Sequence, residues 1–311
     1  MGTLIQFKNV SKRYSSHLVL DNLNFEIEDK DIFGIIGLSG SGKTTILNTL
    51  IGFIKSNGGQ IIYGSSDISK DKRRIEQIVG FATQSCSFYN KLTVEENLHY
   101  FGKLYNMNRA ETIKRIDELL PLVELESSKK VLAKNLSTGM SRRLDIACAM
   151  IHHPKVLILD EPTEDLDPVL RREILKLIRK INTEEGTTII ITSHLLNEIE
   201  AICTKIAILH KGKIIRSGTP NELKDMYTKN QEIHLRTSPG RYDPIINYLK
   251  KTTDITDIMN QGNKMVIYTK DAEKVLQDLL NVLAKNNEKL IDIDVNRPSL
   301  EEVFTFFTRQ K

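Results

Sequence analysis

The stretch DIFGIIGLSGSGKTTILNTLIGF, residues 31–53, limits what this chain can fold into more than any other. A short apolar run ends in a glycine-rich turn and passes directly into an apolar-periodic segment, which reads as strand, loop and helix. Gly37, Gly40 and Gly42 let the backbone curl so that several N–H groups can face one phosphate chain. The helix start adds unpaired N–H groups and the positive end of its dipole. Lys43 is spaced to reach β and γ phosphates and Thr44 to ligate magnesium, while Leu38, Ser39, Ser41 and Thr45 complete the loop. An ordinary strand–helix turn has no need of Gly-Lys-Thr-Thr in this context.

The chain around this loop alternates in a way that predicts an α/β fold. LIQFKNV and LDNLNFEIE have the period of antiparallel strands, and GGQIIYG and QIVGFATQ read as a further strand pair. From about residue 94 to 153 the pattern is helical, over VEENLHYFGKLY, AETIKRIDELLPLV and a helix that Ser137 caps within LSTGMSRR. VLILD then precedes a helix over Arg171–Asn182, TTIIIT one over Leu195–Cys203, and KIAILHKG leads to KIIRSG. Buried runs such as VLIL and TIII between helices predict a parallel sheet. The expectation is a mixed-sheet α/β core with an antiparallel N-terminal subdomain and an inserted helical subdomain at about 90–153.

Topology changes near Gly218–Pro220, which predicts domains at 1–220 and 221–311. After a short helix at Asn221–Met226 come a strand at Glu232–Thr237 and a helix at Pro244–Lys251. A hairpin of Ile255–Met259 and Met265–Thr269, a helix at Ala272–Ala284 and a strand at Leu290–Val295 follow. That βαββαβ order is the ferredoxin-like plan. A last helix opens at Ser299, where Glu302 completes a capping box.

Composition narrows the function classes. With 40% hydrophobic and 27% charged residues and a net charge of +4, nothing electrostatic asks for a nucleic-acid partner. Cys86, Cys148 and Cys203 are too far apart in sequence for a zinc site or a disulfide framework, which predicts a reducing compartment. MGTLIQFKNV lacks the plan of a signal peptide, and the apolar runs are far short of a membrane span. The expectation is a cytoplasmic protein that does not cross a bilayer alone.

VLILDEP at 156–162 presents two adjacent carboxylates at the end of a buried strand, the edge where open α/β sheets bind ligands. Asp160 is suited to hold magnesium through water, and Glu161 to act as general base on an attacking water.

Together, the glycine loop, LSTGM, DEP and the Ser-His after TIIIT resemble, in order and spacing, the ATP-binding-cassette ATPases over roughly residues 4–220. The resemblance implies that ATP with Mg2+ lies between two cassettes, so that Ser137 and Gly139 contact the γ-phosphate held by a second copy, in a homodimer. It implies that Tyr14 stacks on adenine, Gln84 touches magnesium and senses a membrane partner, His194 bonds the γ-phosphate and the catalytic water, and Asp167 couples the two sites. Thr138 and Met140 depart from the commonest signature, Leu-Ser-Gly-Gly-Gln, and Glu164 and Asp165 replace the small residues usual before Leu-Asp.

Met140 followed by Arg142 and Arg143, and the ending RPSLEEVFTFF, resemble the branch serving drug, antibiotic and polysaccharide exporters. That implies a membrane-spanning permease on a separate chain and a peripheral place on the inner face of the membrane. Phe88, Tyr89 and Leu92, in the loop after Gln84, would either receive a permease helix or fold back on the helical subdomain. The alternative is a non-transport ATPase acting on ribosomes or DNA. Such members usually carry two cassettes or long coiled coils, and this chain has a single motif set and no such heptad run.

Overall fold

The computed structural model describes residues 2–67, 72–226, 231–249, 255–262, 264–296 and 299–309. The chain divides into two compact units, Met1–Pro220 and Asn221–Lys311.

The first unit opens with β1 (Thr3–Tyr14), β2 (His17–Glu28), β3 (Ile32–Ile36) and α1 (Lys43–Leu50). Next come β4 (Gly58–Tyr63), β5 (Ser66–Asp67), α2 (Lys72–Ile78) and β6 (Val79–Ala82). The inserted helices are α3 (Val94–Leu104), α4 (Arg109–Leu122) and α5 (Thr138–Met150). Strand–helix alternation returns with β7 (Val156–Asp160), α6 (Pro168–Glu185), β8 (Thr188–Ser193), α7 (Leu196–Ile202), β9 (Lys205–His210) and β10 (Lys213–Gly218), and α8 (Pro220–Asp225) starts at the last residue of this unit and continues into the second.

Two sheets result. One is antiparallel, in the order β2-β1-β4-β5, and the other is six-stranded, β10-β9-β3-β8-β7-β6. In the second, β3, β6, β7, β8 and β9 run parallel and β10 closes one edge antiparallel. Every residue of β3, β7 and β8 is buried, which is why their sequences are continuous apolar runs. Phe7, Phe25 and Phe33 stack in series at 4.2 and 5.6 Å and join the two sheets in one core. Pairing of Ile36 with Ser193 and of Asp160 with Thr192 brings the ends of β3, β7 and β8 to one edge. The glycine loop leaves β3 at that edge.

GGQIIYG and QIVGFATQ do not pair with each other. β4 joins the antiparallel sheet through β1, whereas β6 lies parallel to β7 in the other sheet. Both runs are β-rich, and period alone does not show that α2 separates them and hands the chain to a different layer. The helix expected over Arg171–Asn182 is longer at both ends, because Pro168 fits a first helical turn and Asp167 caps it. Helix starts in the insertion are capped as their sequences ask, by Thr93 with Glu96 and by Asn108 with Glu111.

The second unit contains β11 (Gln231–Ser238), α9 (Tyr242–Leu249), β12 (Ile255–Asn260), β13 (Met265–Thr269), α10 (Ala272–Lys285), β14 (Lys289–Asn296) and α11 (Leu300–Arg309). Its sheet order, β12-β13-β11-β14, with all neighbours antiparallel, is the ferredoxin-like arrangement. Ile233, Leu235, Met265 and Ile267 of the sheet pack with Ile245 and Leu249 of α9 and Val275 and Leu279 of α10. Ser299 and Glu302 exchange the reciprocal bonds of a capping box at 3.2 and 2.9 Å. The last two residues of the helix expected over Pro244–Lys251, and Arg297 and Pro298 of RPSLEEVFTFF, lie outside the described residues.

Candidate active site

The glycine loop is shaped by what its glycines must avoid. A Cβ on Gly37 would lie 2.5 Å from Ser41 Oγ and 2.6 Å from the Leu209 carbonyl, and Gly40 and Gly42 adopt φ of 76° and 110°. Only glycine accepts both constraints without strain. Lys43 is buried and its ammonium donates to the Gly37 carbonyl at 3.0 Å. The loop borders a cleft of about 560 Å³, lined by Val19, Ser39, Gly40, Gly42, Lys43, Thr44, Thr45, Gln84, Glu161, Glu164 and His194. A volume of that size suits a nucleotide-sized ligand.

The two acids stand opposite the loop. Asp160 accepts from the Thr192 hydroxyl at 2.6 Å through one oxygen and from the Thr44 hydroxyl at 3.4 Å through the other. Thr44 Oγ1 and Asp160 therefore form a compact set of hard oxygen donors, the type that Mg2+ prefers. Ser41 Oγ is buried with no hydrogen-bond partner among the described residues, a polar atom available to a ligand in the loop.

Glu161 takes φ of 49°, a left-handed conformation that costs a non-glycine residue roughly 1–2 kcal/mol. Its N–H holds that turn by donating to the Thr192 hydroxyl and carbonyl at 3.0 and 3.2 Å. The carboxylate then lies 3.5 Å from the Lys43 ammonium and 2.5 Å from His194 Nδ1. With the carboxylate ionised, Nδ1–H is the donor and Nε2 remains for a second partner.

Gln84, on the segment after β6, lines the cleft and its amide donates to Glu164. Glu164, identified from sequence only as a departure, thus adds a third carboxylate to this wall. The other expected residues lie apart from the cleft lining. Tyr14 is the last residue of β1, half exposed, with the Lys12 ammonium 4.9 Å from its ring centre. Asp167 caps α6 by accepting from the Val169 and Leu170 N–H groups at 2.8 and 3.1 Å. Ser137 caps α5 by accepting from Met140 N at 3.3 Å, and Gly139 is packed so closely that a Cβ would meet Leu170 at 2.9 Å.

Thr192 was not identified from sequence, yet it touches both acids. Its only signal was its place at the end of the apolar run TTIIIT, next to the strand that carries them.

A glycine loop, two acids and a histidine at the carboxyl edge of one parallel sheet, with a helical insertion beside it, define a P-loop nucleotide-hydrolysing cassette. Comparison with known proteins gives the lineage. The ABC transporter family matches residues 20–164, and the family described as "ATP-binding protein DrrA1-3-like, C-terminal domain" matches residues 218–305. The chain is 31% identical to the linearmycin resistance ATP-binding protein LnrL of Bacillus subtilis, over 98% of each chain. It is 33% identical to the bacitracin transport ATP-binding protein BcrA of Bacillus licheniformis, over 98% of this chain and 97% of that one.

Among solved structures, cbiO1 of Clostridium perfringens, part of the ABC transporter complex cbiONQ, superposes with a TM-score of 0.68 at 28% identity, covering 72% of this chain and 91% of that one. The cassette MJ0796, solved as a dimer bound to ADP and Pi, does so with a TM-score of 0.61 at 28% identity over 70% and 98%. This chain belongs to the ABC transporter family. It is an ATP-binding subunit whose hydrolysis of ATP drives a membrane transporter, and no helix among the described residues is long and apolar enough to cross a membrane.

Proposed function

We propose that this protein is the ATPase subunit of an exporter of antibiotic-like compounds, working as a homodimer on a permease encoded separately, at the inner face of the membrane. The line Lys43–Glu161–His194, with its 3.5 and 2.5 Å contacts at the mouth of the loop cleft, carries the hydrolytic part of this reading. The names of LnrL, a linearmycin resistance protein, and BcrA, a bacitracin transport protein, each matched over nearly the whole chain, support the antibiotic part of this reading.

In this reading the loop N–H groups of residues 37–45 and Lys43 bind the phosphates. Thr44 and Asp160, together with Gln84, would hold Mg2+, and Tyr14 would stack on adenine. The metal would supply charge neutralisation on the phosphate oxygens. Glu161 accepts a proton from the attacking water, held in its left-handed turn by Thr192, and His194 orients the carboxylate. Ser137 and Gly139 serve the nucleotide of the second subunit, and Asp167 links the two sites.

Tyr89 bears on the permease contact. Its hydroxyl lies 3.1 Å from that of Tyr100 on α3, in an edge-to-face pair, yet the ring remains half exposed. It folds onto the helical subdomain and still offers an aromatic surface to a partner helix.

Glu161→Gln tests the reading. Nucleotide binding should persist while hydrolysis falls by roughly 10²-fold or more, the usual reach of acid–base catalysis. Trapped ATP should then double the mass in solution. Unchanged turnover would remove Glu161 from the role of base.

A further inference from the structure

The segment carrying Gln84 is tied to α5 by backbone bonds that its sequence does not announce. Arg142, buried, donates through Nη1 to the Thr83 carbonyl and through Nη2 to the Gln84 carbonyl, each at 2.9 Å. One turn later on the same helix face, buried Asp145 accepts from the Ser87 N–H at 2.7 Å. The two side chains lie 3.8 Å apart and complete each other electrostatically. Residues 83–87 are thus held at three backbone points by one helix, through charge-assisted bonds that are stronger than neutral ones and largely shielded from water.

That helix begins at Ser137, Thr138 and Gly139. A shift of its first turns is passed to Arg142 and Asp145, one or two turns further on, because an intact α-helix moves as a rod. From them it reaches the Gln84 backbone, while the Gln84 amide remains free to exchange partners at the cleft wall. Arg143, the next residue, does none of this. It bonds Val123, Glu124 and Glu173 on the other side of the helix.

We infer that Arg142 and Asp145 are positioning residues that lock the Gln84 segment to the signature helix, so that the contact of α5 with one nucleotide sets the metal contact at the other. The lock consists of the three hydrogen bonds to Thr83, Gln84 and Ser87. Its consequence rests on the reading above that Gln84 faces Mg2+ and that the start of α5 faces the second subunit's ATP.

The test uses the full chain with Arg142→Ala, Arg142→Lys, Gln84→Ala, the double variant of Arg142→Ala with Gln84→Ala, and Arg143→Ala as a control on the same helix. Hydrogen–deuterium exchange should rise at residues 83–88 in Arg142→Ala and not in Arg143→Ala. The Mg2+ concentration that half-saturates ATPase, and that half-saturates the fluorescence change of bound MANT-ATP, should rise roughly tenfold in Arg142→Ala. MANT-ATP affinity in EDTA should stay within about twofold, since the glycine loop is untouched.

A lysine reaches one carbonyl where the guanidinium fork reaches two, so Arg142→Lys should fall between parent and alanine variant. It also keeps the test open if the alanine variant fails to fold. In the double variant the Mg2+ requirement should match that of Gln84→Ala alone. Unchanged exchange at 83–88 in both Arg142 variants overturns the lock. A double variant that adds the two single shifts overturns action through Gln84. If Gln84→Ala leaves the Mg2+ requirement unmoved, the metal role of Gln84 is what fails, and the exchange data still decide the lock.

Discussion

Tyr105 and His152 stack with ring centroids 3.6 Å apart, and burial pushes the imidazole down to about 4 from its ordinary 6.5, with His153 and Arg115 adding positive charge nearby. Between pH 6.5 and 4 the unfolded chain binds a proton that the folded one refuses, so stability falls as pH falls through that window. The full effect is about 3 kcal/mol once pH is below both values. His152→Phe preserves the stacking and removes the titration. Urea midpoints of the variant should therefore decline less between pH 6.5 and 4 than those of the parent, and equal slopes would exclude His152 as the source.

Residues of this kind also mark the limit of what the sequence discloses. Lys43, Asp160, Glu161 and His194 are legible because each sits at a set distance from the end of a strand or the start of a helix. Thr192 and Arg142 are not, because what they touch is brought to them by strand register and by packing of α5 on the β6 exit. No local pattern encodes either meeting. Glu164 could be seen as unusual, but not as the partner of the Gln84 amide across 80 positions.

At the scale of elements, the join between β6 and α5 decides how firmly the Gln84 segment is seated. A Cβ on Gly80 would lie 2.1 Å from the Ala149 carbonyl and 3.1 Å from the Pro154 ring. The first of these sets a Cβ, fixed by the strand backbone, against a backbone carbonyl, so no rotamer change relieves it; the strand must back away from the helix end. Gly80→Ala should cost about 1–3 kcal/mol, measured as a lowered urea midpoint with an unchanged m-value. An unaltered midpoint would mean that β6 and α5 are not in this close contact. Elements themselves were mostly readable from period, as α3, α4 and the βαββαβ order of the second unit illustrate. Which sheet a strand enters was not. GGQIIYG and QIVGFATQ have similar composition, and only the α2 turn between them sends one to each layer.

At the scale of the whole molecule, the cleft described above is lined by Ser39, Gly40 and Gly42–Thr45 of the glycine loop, Glu161, Glu164 and His194, but by neither Ser137 nor Gly139. Those two residues sit at the start of α5, and if they serve ATP they serve that of a second copy. This can be tested by splitting the defects between subunits. Lys43→Ala disables the loop half of a site, and Ser137→Arg disables the signature half by placing bulk where the γ-phosphate approaches. Either homodimer then has two broken sites and should be inactive. In a mixed dimer with shared sites both lesions fall in one site and the other is whole. If each subunit built its own site, both would stay broken. Random exchange makes about half the dimers mixed, each with one good site of two, so a symmetric assembly should recover roughly a quarter of parental ATPase activity. Should turnover require both sites together, protection of the mixed dimer by nucleotide reports the intact site instead. Confirmed exchange with no gain in either measurement would mean that α5 serves no neighbouring nucleotide, and the lock formed by Arg142 and Asp145 would then act within a single subunit.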